Sequence, residues 1–572
     1  MSFVYLDIET EWTRHSDPLP VFVIAGFAID DGPVQYRYSL ETARNVVLDA
    51  AARGDTVVCH RGAFEMGTLQ IPRGVRWYDT AIVATIQGAA AGDPDAAGHS
   101  LKLLGKRAGY EHTGKKGKSG EQGSFRAGQQ CTPAQLDYLR QDVECTRAAA
   151  KWQWKKYGLR GTPDLERETQ WSRDVFEMGR RGLHIDQDRV AALLAAGQTE
   201  EAQLRRALRE VGIIQPRGPK KDPWRKSSVD EPTVQGLLRA AGVTEVTEGS
   251  AEAEEEDQLL VTDRLTLVKS GDPRLKLLAD YKTKGKQNGL VKAYVVEGGV
   301  VRARYNSAVA TGRMSCSQPN VQQVPKRGGL RECWTPSPGH VLVEGDYSML
   351  ELYTFSDTCA RWGIHSRLRE ALNARQDVHA IVAANPEVGT RALAKVFNYG
   401  GLGGMGADTM QENIEKQLGV LLPVEQIARA QAAWKATWPE IDEYWKYNTR
   451  IAHPAGFKRN KWGAMKMTYK YKVTNPQTGK QRLAFYCAAQ NFGFQGPGGT
   501  IIKSALEKAH KRGLHPVAAL HDQLMCDEAA GDAAEARVTL REVMREAGEE
   551  TCPNVDWPDQ DIHVFTERWE SK

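Results

Sequence analysis

Short apolar runs that lead into acidic residues recur along this chain, and each run predicts a buried strand. The run at 341–343 leads to Asp346. Another run is followed by His521 and Asp522 and then by further apolar residues, so residues 517–528 are predicted to form a hairpin with Asp522 at its tip. A carboxylate at a strand end is held rigidly and can face a cleft, which suits a metal ligand. An exposed Asp without a ligand is the alternative.

The N-terminal residues repeat this arrangement. Residues 3–9 predict a strand ending in Asp7 and Glu9, whose side chains share a face because they are two positions apart. Residues 56–65 predict another strand, a turn and then Glu65, and the spacing of four between Tyr138 and Asp142 places both on one helical face. Four acids and a tyrosine gathered in this way predict a two-metal site where water attacks and a nucleotide is released. Solvated acids at a strand end are the alternative.

The pattern at 390–401 predicts a short helix, with Thr390 as its cap and a glycine pair at its end. Arg391, Lys395 and Tyr399 are spaced by four and therefore share one face. Arg391 in the first turn opposes the helix dipole unless an anion joins it, and a triphosphate is such an anion. The helix is therefore predicted to bind a nucleotide, with Tyr399 stacking on the sugar and base. An amphipathic helix with a basic face is the alternative.

Length and composition limit the class of protein. The 572 residues have room for about three or four domains, and the net charge of +4 is too small to identify a partner. The nine cysteines include no Cys-x-x-Cys pair, which indicates reduced thiols of an intracellular protein. No basic leader precedes the first apolar residues, and no apolar run approaches the roughly 18 residues that span a membrane. We therefore expect no signal peptide and no membrane partner.

Charge is concentrated locally. Residues 444–506 carry 11 Lys or Arg and no Asp or Glu, with aromatic residues interleaved. This bias predicts a polyanion partner, because each cation that neutralises a phosphate releases a counterion. The aromatic residues either stack on unpaired bases or fill a hairpin core. The polar runs at 113–124, 216–230 and 248–257 are predicted to be solvated loops.

Five segments together resemble family A DNA polymerases, the group of bacterial DNA polymerase I and many phage replicases. They are Thr-Gly-Arg at 311–313 with Pro-Asn-x-Gln at 319–322, Asp-Tyr-Ser-x-Leu-Glu-Leu at 346–352, Arg-x-x-x-Lys-x-x-x-Tyr-Gly at 391–400, Gln-Asn-Phe-Gly-Phe-Gln-Gly at 490–496 and His-Asp-x-Leu at 521–524. Three departures are visible. Met349 stands where the family usually has Gln, and Gln523 where it often has Glu. Gly403 replaces a second Tyr of many relatives, which predicts looser packing at the insertion site.

The resemblance implies template-directed DNA synthesis with two Mg²⁺ ions, for which Mn²⁺ can substitute. Asp346 and Asp522 would hold the ions with the backbone carbonyl of Tyr347, and Lys395 would stabilise the leaving pyrophosphate. Glu351 would exclude a ribose 2′-OH, and Tyr at position 399 goes with acceptance of dideoxynucleotides. The implied nucleotide-binding residues are Arg391, Lys395, Tyr399, His379, Glu351 and Tyr347. The implied DNA-binding residues are Arg313, Gln323, Asn491, Gln495 and His521.

The N-terminal motifs resemble the 3′–5′ exonuclease domain of the same polymerases, with Asp-x-Glu, then Phe-Glu, then Tyr-x-x-x-Asp. The resemblance implies two further Mg²⁺ ions and a catalytic set of Asp7, Glu9, Glu65, Tyr138 and Asp142. Glu65 replaces the commoner Asp, and Arg61 stands where the family often has Asn. Glu still supplies a carboxylate, so we expect proofreading activity. Asp79 is interpreted as a structural or capping residue.

The implied fold class is α/β and α+β multidomain, with a ribonuclease H-like exonuclease domain followed by a right-hand polymerase. The expected parts are an exonuclease domain at 1–157, a thumb at 158–300, the first part of a palm at 301–356, fingers with a basic hairpin at 357–485 and the second part of the palm at 486–572. No 5′ nuclease domain is recognised, which suits a phage replicase acting in the cytoplasm of a bacterial host. Primer–template DNA and dNTPs are the expected partners, and any processivity factor is left open.

Three other functions are compatible with parts of the sequence. A single-subunit RNA polymerase would lack Glu351 as a gate and the exonuclease set. A stand-alone repair exonuclease would explain residues 1–157 only, and a non-catalytic nucleic-acid-binding protein would need none of the acids. Mg²⁺-dependent primer extension with dNTPs or rNTPs separates all of these.

Overall fold

A computed structural model describes most of the chain. The described residues are 2–11, 20–88, 100–114, 119–158, 163–216, 227–244, 247, 259–307, 309, 312–451, 457–459, 465–467, 472–474, 481–483 and 486–570. Helices and strands occur together throughout, which confirms the mixed α/β class expected from the sequence. Among the described helices, none combines the length and apolar character needed to cross a membrane.

The N-terminal part is a five-stranded sheet flanked by helices. Its strands lie in the order β3 Gln35–Arg37, β2 Phe22–Ile29, β1 Phe3–Thr10, β4 Thr56–Cys59 and β5 Trp77–Asp79, and β1 is antiparallel to β2 and parallel to β4. The elements are β1 Phe3–Thr10, β2 Phe22–Ile29, β3 Gln35–Arg37, α1 Leu40–Ala52, β4 Thr56–Cys59, α2 Ala63–Thr68, β5 Trp77–Asp79, α3 Thr80–Val83, α4 Leu101–Arg107 and α5 Pro133–Tyr157. The predicted strands at 3–9 and 56–59 are confirmed.

Alternation along β1 positions the acids. Val4, Leu6 and Ile8 enter one apolar cluster, whereas Tyr5 enters the cluster that contains Leu139 of α5. Because side chains alternate along a strand, Asp7 and Glu9 lie on the same face as Tyr5, towards α5. Helix α5 begins with a capping box between Thr132 and Gln135. The sequence pattern of β1 therefore turns two carboxylates towards the helix that carries Asp142.

The middle of the chain is mainly helical. Its elements are α6 Pro163–Arg181, β6 Leu183–Ile185, α7 Gln187–Glu210, β7 Ile214–Pro216, β8 Ser227–Val229, α8 Glu231–Ala240, α9 Arg264–Lys269 and α10 Pro273–Lys292. Helices α7 and α10 pack together, and Asn288 of α10 donates a hydrogen bond to Glu201 Oε2 at 2.6 Å. An apolar cluster that includes Leu208, Val234 and Leu278 joins α7, α8 and α10. Most residues of the polar runs predicted at 216–230 and 248–257 lie outside the described residues.

A second sheet forms the centre of the C-terminal half. Four strands pair antiparallel throughout, in the sheet order β18 Pro516–Leu520, β19 Gln523–Ala529, β13 His340–Asp346 and β20 Asp561–Phe565. From residue 300 the elements are β9 Val300–Val301, β10 Arg304–Asn306, β11 Ser315–Ser317, β12 Trp334–Thr335, β13 His340–Asp346, α11 Leu350–Arg361, α12 Arg367–Asn373, α13 Val378–Ala383, α14 Arg391–Gly400, α15 Ala407–Leu418, α16 Val424–Thr437, α17 Glu440–Ile451, β14 Phe457–Arg459, β15 Met465–Met467, β16 Lys472–Thr474, β17 Gln481–Leu483, α18 Tyr486–Lys511, β18 Pro516–Leu520, β19 Gln523–Ala529, α19 Ala533–Thr551 and β20 Asp561–Phe565. The predicted strand ending at Asp346, the hairpin with Asp522 at its turn and the helix after Thr390 are confirmed.

Helix α6 joins the N-terminal part to the second sheet. Lys503 of α18 is fully buried, and its Nζ lies 2.5 Å from Glu168 Oε1. Arg73 forms ion pairs with Asp174 and Glu177 of α6, and His510 Nδ1 lies 3.1 Å from Asp174 Oδ1. Although the acids and the histidine of this cluster are close enough for a cation, the Arg73 guanidinium already neutralises the carboxylates. The cluster is therefore an ion-pair contact between two parts of the molecule.

Candidate active sites

The turn between β18 and β19 brings Asp522 to the end of β13. Gln523 pairs with Asp346 in the strand register, and the backbone N–H of Tyr347 donates to the carbonyl of Asp522 at 3.0 Å. Burial and then the nearby Asp346 carboxylate raise the pKa of Asp522 to about 7. The two predicted metal ligands thus lie side by side at one sheet end, and their repulsion makes the site a suitable place for divalent cations.

Gln523 supports this pair directly. Its Nε2 donates a hydrogen bond to Asp346 Oδ2 at 3.1 Å. The Glu common at this place in the family would add a third negative charge, whereas the amide adds a donor. Gln523, which departs from the residue common in the family, therefore orients the Asp346 carboxylate.

Glu351 lies in the first turn of α11, directly after the Asp346 strand. Its carboxylate forms an ion pair with Arg313, and Gln495 Nε2 is 3.4 Å from Glu351 Oε1. Tyr347 is fully buried, and its hydroxyl donates to the carbonyl of Met544, which fixes the backbone next to Asp346. The structure therefore brings together residues predicted separately as metal, nucleotide and DNA ligands.

Helix α14 turns Tyr399 towards the acids. The Thr390 hydroxyl accepts a hydrogen bond from the backbone N–H of Leu393 at 3.2 Å, which confirms the predicted cap. Burial raises the pKa of Tyr399, and the nearby carboxylates of Asp522, Glu351 and Asp346 raise it further. Lys395 Nζ is 6.0 Å from the Tyr399 ring centroid.

Arg391 has an internal partner that the sequence did not reveal. Its Nε lies 2.8 Å from Asp377 Oδ2, and this contact is the first cause of the lowered pKa of Asp377. Asp377 also caps α13 through the backbone N–H groups of His379 and Ala380. Because Asp377 supplies the anion that offsets the helix dipole, the dipole alone does not require a triphosphate.

The remaining predicted DNA-binding residues occupy different settings. Gln323 is exposed at the end of a short 3₁₀ turn, Val321–Gln323. His521 is exposed and has a positive φ of 56° in the turn before Asp522. Asn491 packs against Gly403 so closely that a Cβ at position 403 would overlap its amide oxygen. The looser packing predicted from Gly403 is therefore wrong, because Asn491 fills the space.

The N-terminal acids also converge. Carboxylate oxygens of Asp7, Glu9 and Asp142 all lie within 4.8 Å of one another. Glu65 is buried beside them, and burial followed by the Asp7 charge raises its pKa well above the usual value. The pKa of Tyr138 rises through burial and then through the Asp142 carboxylate. All five residues predicted for the second site therefore lie close together.

His112 contacts this second site, and Asp79 caps the helix Thr80–Val83. His112 Nε2 lies 2.9 Å from Asp142 Oδ1, and both side chains are buried. No pattern in the sequence pointed to His112, because its contact with Asp142 depends on packing between segments that are distant along the chain. Asp79 accepts backbone hydrogen bonds from Arg61, Gly62, Ala81 and Ile82, at 2.8 to 3.2 Å, so its interpretation as a capping residue is confirmed.

The basic stretch at 444–506 is only partly described, and three of its interleaved aromatic residues, Trp462, Tyr469 and Tyr471, lie outside the described residues. Trp445 donates from Nε1 to the carbonyl of Leu402 at 2.8 Å, and Tyr447 stacks on Trp362 with ring centroids 4.7 Å apart. Both therefore contribute to packing. Lys503 is buried against Glu168, so it does not belong to a surface that contacts a polyanion.

Comparison with known proteins agrees with this arrangement. The family model for DNA polymerase family A matches residues 247–556. The thermostable DNA polymerase I of Thermus filiformis is 24% identical over 309 residues, which are 50% of this chain and 35% of the relative. DNA polymerase I of Caldicellulosiruptor bescii is 26% identical over 246 residues, which are 39% of this chain and 26% of the relative. The chain thus spans about a third or less of the length of these relatives.

The fold has a counterpart along its full length. The POL domain of Pol1 from M. smegmatis, solved in complex with DNA primer-template and dNTP, superposes with a TM-score of 0.73. The match covers 99% of this chain and 96% of that domain at 20% sequence identity. The two chains therefore share an overall fold.

Proposed function

Because this chain belongs to DNA polymerase family A, we propose that it is a template-directed DNA polymerase that extends a primer 3′-OH with dNTPs and proofreads its product. The observation that carries the proposal is the meeting of Asp346 and Asp522 at one sheet end, beside Glu351 and the Tyr399 helix. In this scheme residues 1–157 are a ribonuclease H-like exonuclease and 158–300 a thumb. Residues 301–356 and 486–572 are the palm, and 357–485 are fingers with a basic hairpin.

Asp346, Asp522 and the backbone carbonyl of Tyr347 would hold two Mg²⁺ ions, for which Mn²⁺ can substitute. The fit rests on the raised pKa of Asp522, since two crowded carboxylates gain from a divalent cation between them. When bound, the ions activate the primer hydroxyl and neutralise the triphosphate. Gln523 holds Asp346 in place for this task.

The residues of α13 and α14 would bind the incoming nucleotide. Arg391 and Lys395 contact phosphates, His379 donates to one of them, and Tyr399 stacks on the sugar and base. For Arg391 this requires an exchange of its Asp377 partner for the triphosphate, a carboxylate for a phosphate of the same sign. Glu351 excludes a ribose 2′-OH, which favours DNA over RNA as the product.

Primer–template DNA would lie across Arg313, Gln323, Asn491, Gln495 and His521. In the free protein Arg313 is paired with Glu351. Binding of the primer end would therefore compete with the Glu351 carboxylate for the Arg313 guanidinium. This shared contact links correct seating of the primer to the position of Glu351.

A frayed, mispaired primer end would move to the second site. Asp7, Glu9, Glu65 and Asp142 would hold two further Mg²⁺ ions there, and the convergence of three of these carboxylates within 4.8 Å fits such a site. Tyr138 and His112 border Asp142 and would orient it. We propose phage genome replication in a bacterial cytoplasm as the setting, although the relatives named above are bacterial enzymes.

Extension of a labelled primer–template in Mg²⁺ tests the proposal. Asp346→Ala is expected to abolish synthesis and to leave 3′–5′ digestion intact, whereas Asp7→Ala is expected to abolish digestion only. Asp559→Ala and Asp49→Ala are matched controls, because both remove an exposed carboxylate outside the two sites. Synthesis by Asp346→Ala, or a preference for rNTPs over dNTPs in the wild type, would refute the proposal.

A further inference from the structure

Asn398 of α14 links His379 to two tryptophans. Its Oδ1 lies 2.8 Å from Trp434 Nε1 and 3.2 Å from Trp438 Nε1. Its Nδ2 lies 2.9 Å from His379 Nδ1 and 3.3 Å from the carbonyl of Val378. Asn398 and His379 are both buried, so these contacts are shielded from water.

The two indoles fix the orientation of the Asn398 amide. An indole N–H is a donor only, so the amide atom that faces both tryptophans has to be the oxygen. The NH₂ group then faces His379 Nδ1, as it also faces the Val378 carbonyl. Because an NH₂ group can only donate, His379 Nδ1 has to accept, and the ring proton has to be on Nε2.

We infer that Asn398 is a positioning residue that holds His379 as the neutral Nε2–H tautomer, so that His379 donates one hydrogen bond to a phosphate of the incoming dNTP. The tautomer follows from the hydrogen bonds alone, while the phosphate contact rests on the proposed function. An imidazolium would place its Nδ1–H against the Asn398 NH₂ group, and two donors cannot bond to each other.

The surrounding charges agree with a neutral ring. Asp377 lies on the element of His379, while Arg391, Lys395 and Tyr399 face it from α14. Burial lowers the pKa of His379 to about 4, and the Arg391 charge adds to this shift. The positive charge towards the phosphates therefore comes from Arg391 and Lys395, whereas His379 contributes one directional hydrogen bond from its neutral ring.

Nitrogen-15 NMR of histidine-labelled free protein tests the tautomer without any nucleotide, because protonated and unprotonated ring nitrogens have different shifts. His379→Gln assigns the signal. The wild type is expected to show His379 as Nε2–H from pH 6 to pH 8. An Nδ1–H signal, or exchange between both tautomers, would overturn the inference.

Asn398→Asp is the decisive variant. Its carboxylate still accepts from both indoles and now also accepts from Nδ1–H, so the proton of the His379 ring is expected to be on Nδ1, either in the neutral Nδ1–H tautomer or in the imidazolium. Asn413→Asp is the matched control, because Asn413 lies on α15 and its Nδ2 contacts Met405 Sδ. An unchanged His379 signal in Asn398→Asp, or an equal change in Asn413→Asp, would overturn the role of Asn398.

Kinetics test the phosphate contact. His379→Phe is expected to raise KM for dNTP about tenfold, the effect of one hydrogen bond to a charged group, with a smaller change in kcat. Asn398→Leu is expected to raise KM in the same direction, and the double variant to match His379→Phe, because Asn398 acts through the ring. If the increase in KM of the double variant equals the product of the two single increases, Asn398 does not act through the His379 ring and its positioning role is overturned. Unchanged KM in both single variants with the NMR result intact would refute the phosphate contact alone.

Discussion

At the scale of single residues, the crowding of Asp346 and Asp522 has an electrostatic cost that can be measured. An Asp in an unfolded chain titrates near 4, whereas the pKa of Asp522 in the folded protein is about 7. Between these values the folded state binds the proton more tightly, so the free energy of unfolding falls as pH rises from about 4 to about 7. The metal-free protein is therefore destabilised by its own site at neutral pH and above.

Asp522→Asn removes this charge while keeping the shape of the side chain. We expect the metal-free variant to be more stable than the wild type at pH 8, by on the order of 2 kcal/mol, and to lose most of this advantage at pH 4, near the pKa of Asp in the unfolded chain. Thermal unfolding at both pH values measures the difference, and primer extension should be abolished. Asp559→Asn, on an exposed loop, is the control and should shift neither midpoint. A gain that is the same at both pH values would contradict the assignment.

Tyr399 permits a second prediction at this scale. The family resemblance implies that Tyr at this place admits dideoxynucleotides. Tyr399→Phe should therefore lower incorporation of ddNTP relative to dNTP by about tenfold or more, equivalent to at least about 1.4 kcal/mol in the transition state. Competition between dNTP and ddNTP at one template position measures the ratio. Strong rejection of ddNTP by the wild type would contradict the prediction.

At the scale of elements, local patterns in the sequence predicted the parts that depend on local physics. The β13 strand, the hairpin at Asp522 and the Thr390 cap follow from apolar runs and capping residues close in sequence. The contacts of His112, Asp377 and Asn398 were not predictable, because each joins elements whose distance is set by tertiary packing. Asp377 also shows that a carboxylate of the protein itself can offset the unfavourable position of Arg391 in the helix dipole, for which the sequence analysis had inferred a bound triphosphate.

Gly403 illustrates how packing overrides a motif comparison. The sequence suggested an empty place, but the Asn491 amide occupies it. Gly403→Ala should therefore lower stability by about 1–3 kcal/mol through overpacking. Gly403→Ala combined with Asn491→Ala should be less destabilised than the sum of the two changes, because the clash is relieved. Gly406→Ala is the control, since no heavy atom lies within 4 Å of its added Cβ. Denaturant unfolding measures all four variants.

At the scale of the whole molecule, the cations of the 444–506 stretch occupy two different environments, the surface and a buried ion pair. Some cations of the 444–506 stretch face outward, as Lys446 does, while Lys503 is buried between α18 and α6. Sequence counts cannot separate these roles, because burial depends on which helices meet. The prediction of a polyanion-binding surface therefore applies to the exposed members only.

Lys503→Met tests this division. Removal of one partner of a buried ion pair should cost about 3–5 kcal/mol, and adding Glu168→Leu should restore much of it. The dependence of DNA affinity on salt should not change, because Lys503 contacts no phosphate. Lys446→Met is the matched comparison, and it should reduce the log–log salt slope by about 0.9 with little loss of stability. Equal slopes for Lys446→Met and the wild type would show that this residue does not contact DNA either.

One ion pair connects the two parts of the chain that are proposed to be the thumb and the fingers. Arg264 of α9, in the proposed thumb, pairs with Glu415 of α15, in the proposed fingers. The Glu415 side chain is 8% exposed, so the contact is partly shielded from solvent. Because duplex DNA would lie between these two parts, the ion pair should slow dissociation of the DNA.

Arg264→Glu should raise the dissociation rate of primer–template by about two- to fivefold, the effect of about 0.4–1 kcal/mol expected for one such pair. Single-turnover extension with an excess of trap DNA measures the shortened products, and the charge swap Arg264→Glu with Glu415→Arg should restore their length. Arg274→Glu breaks a pair with Asp272 inside one region, so a decrease equal to that of Arg264→Glu would show a general charge effect and contradict closure by this contact.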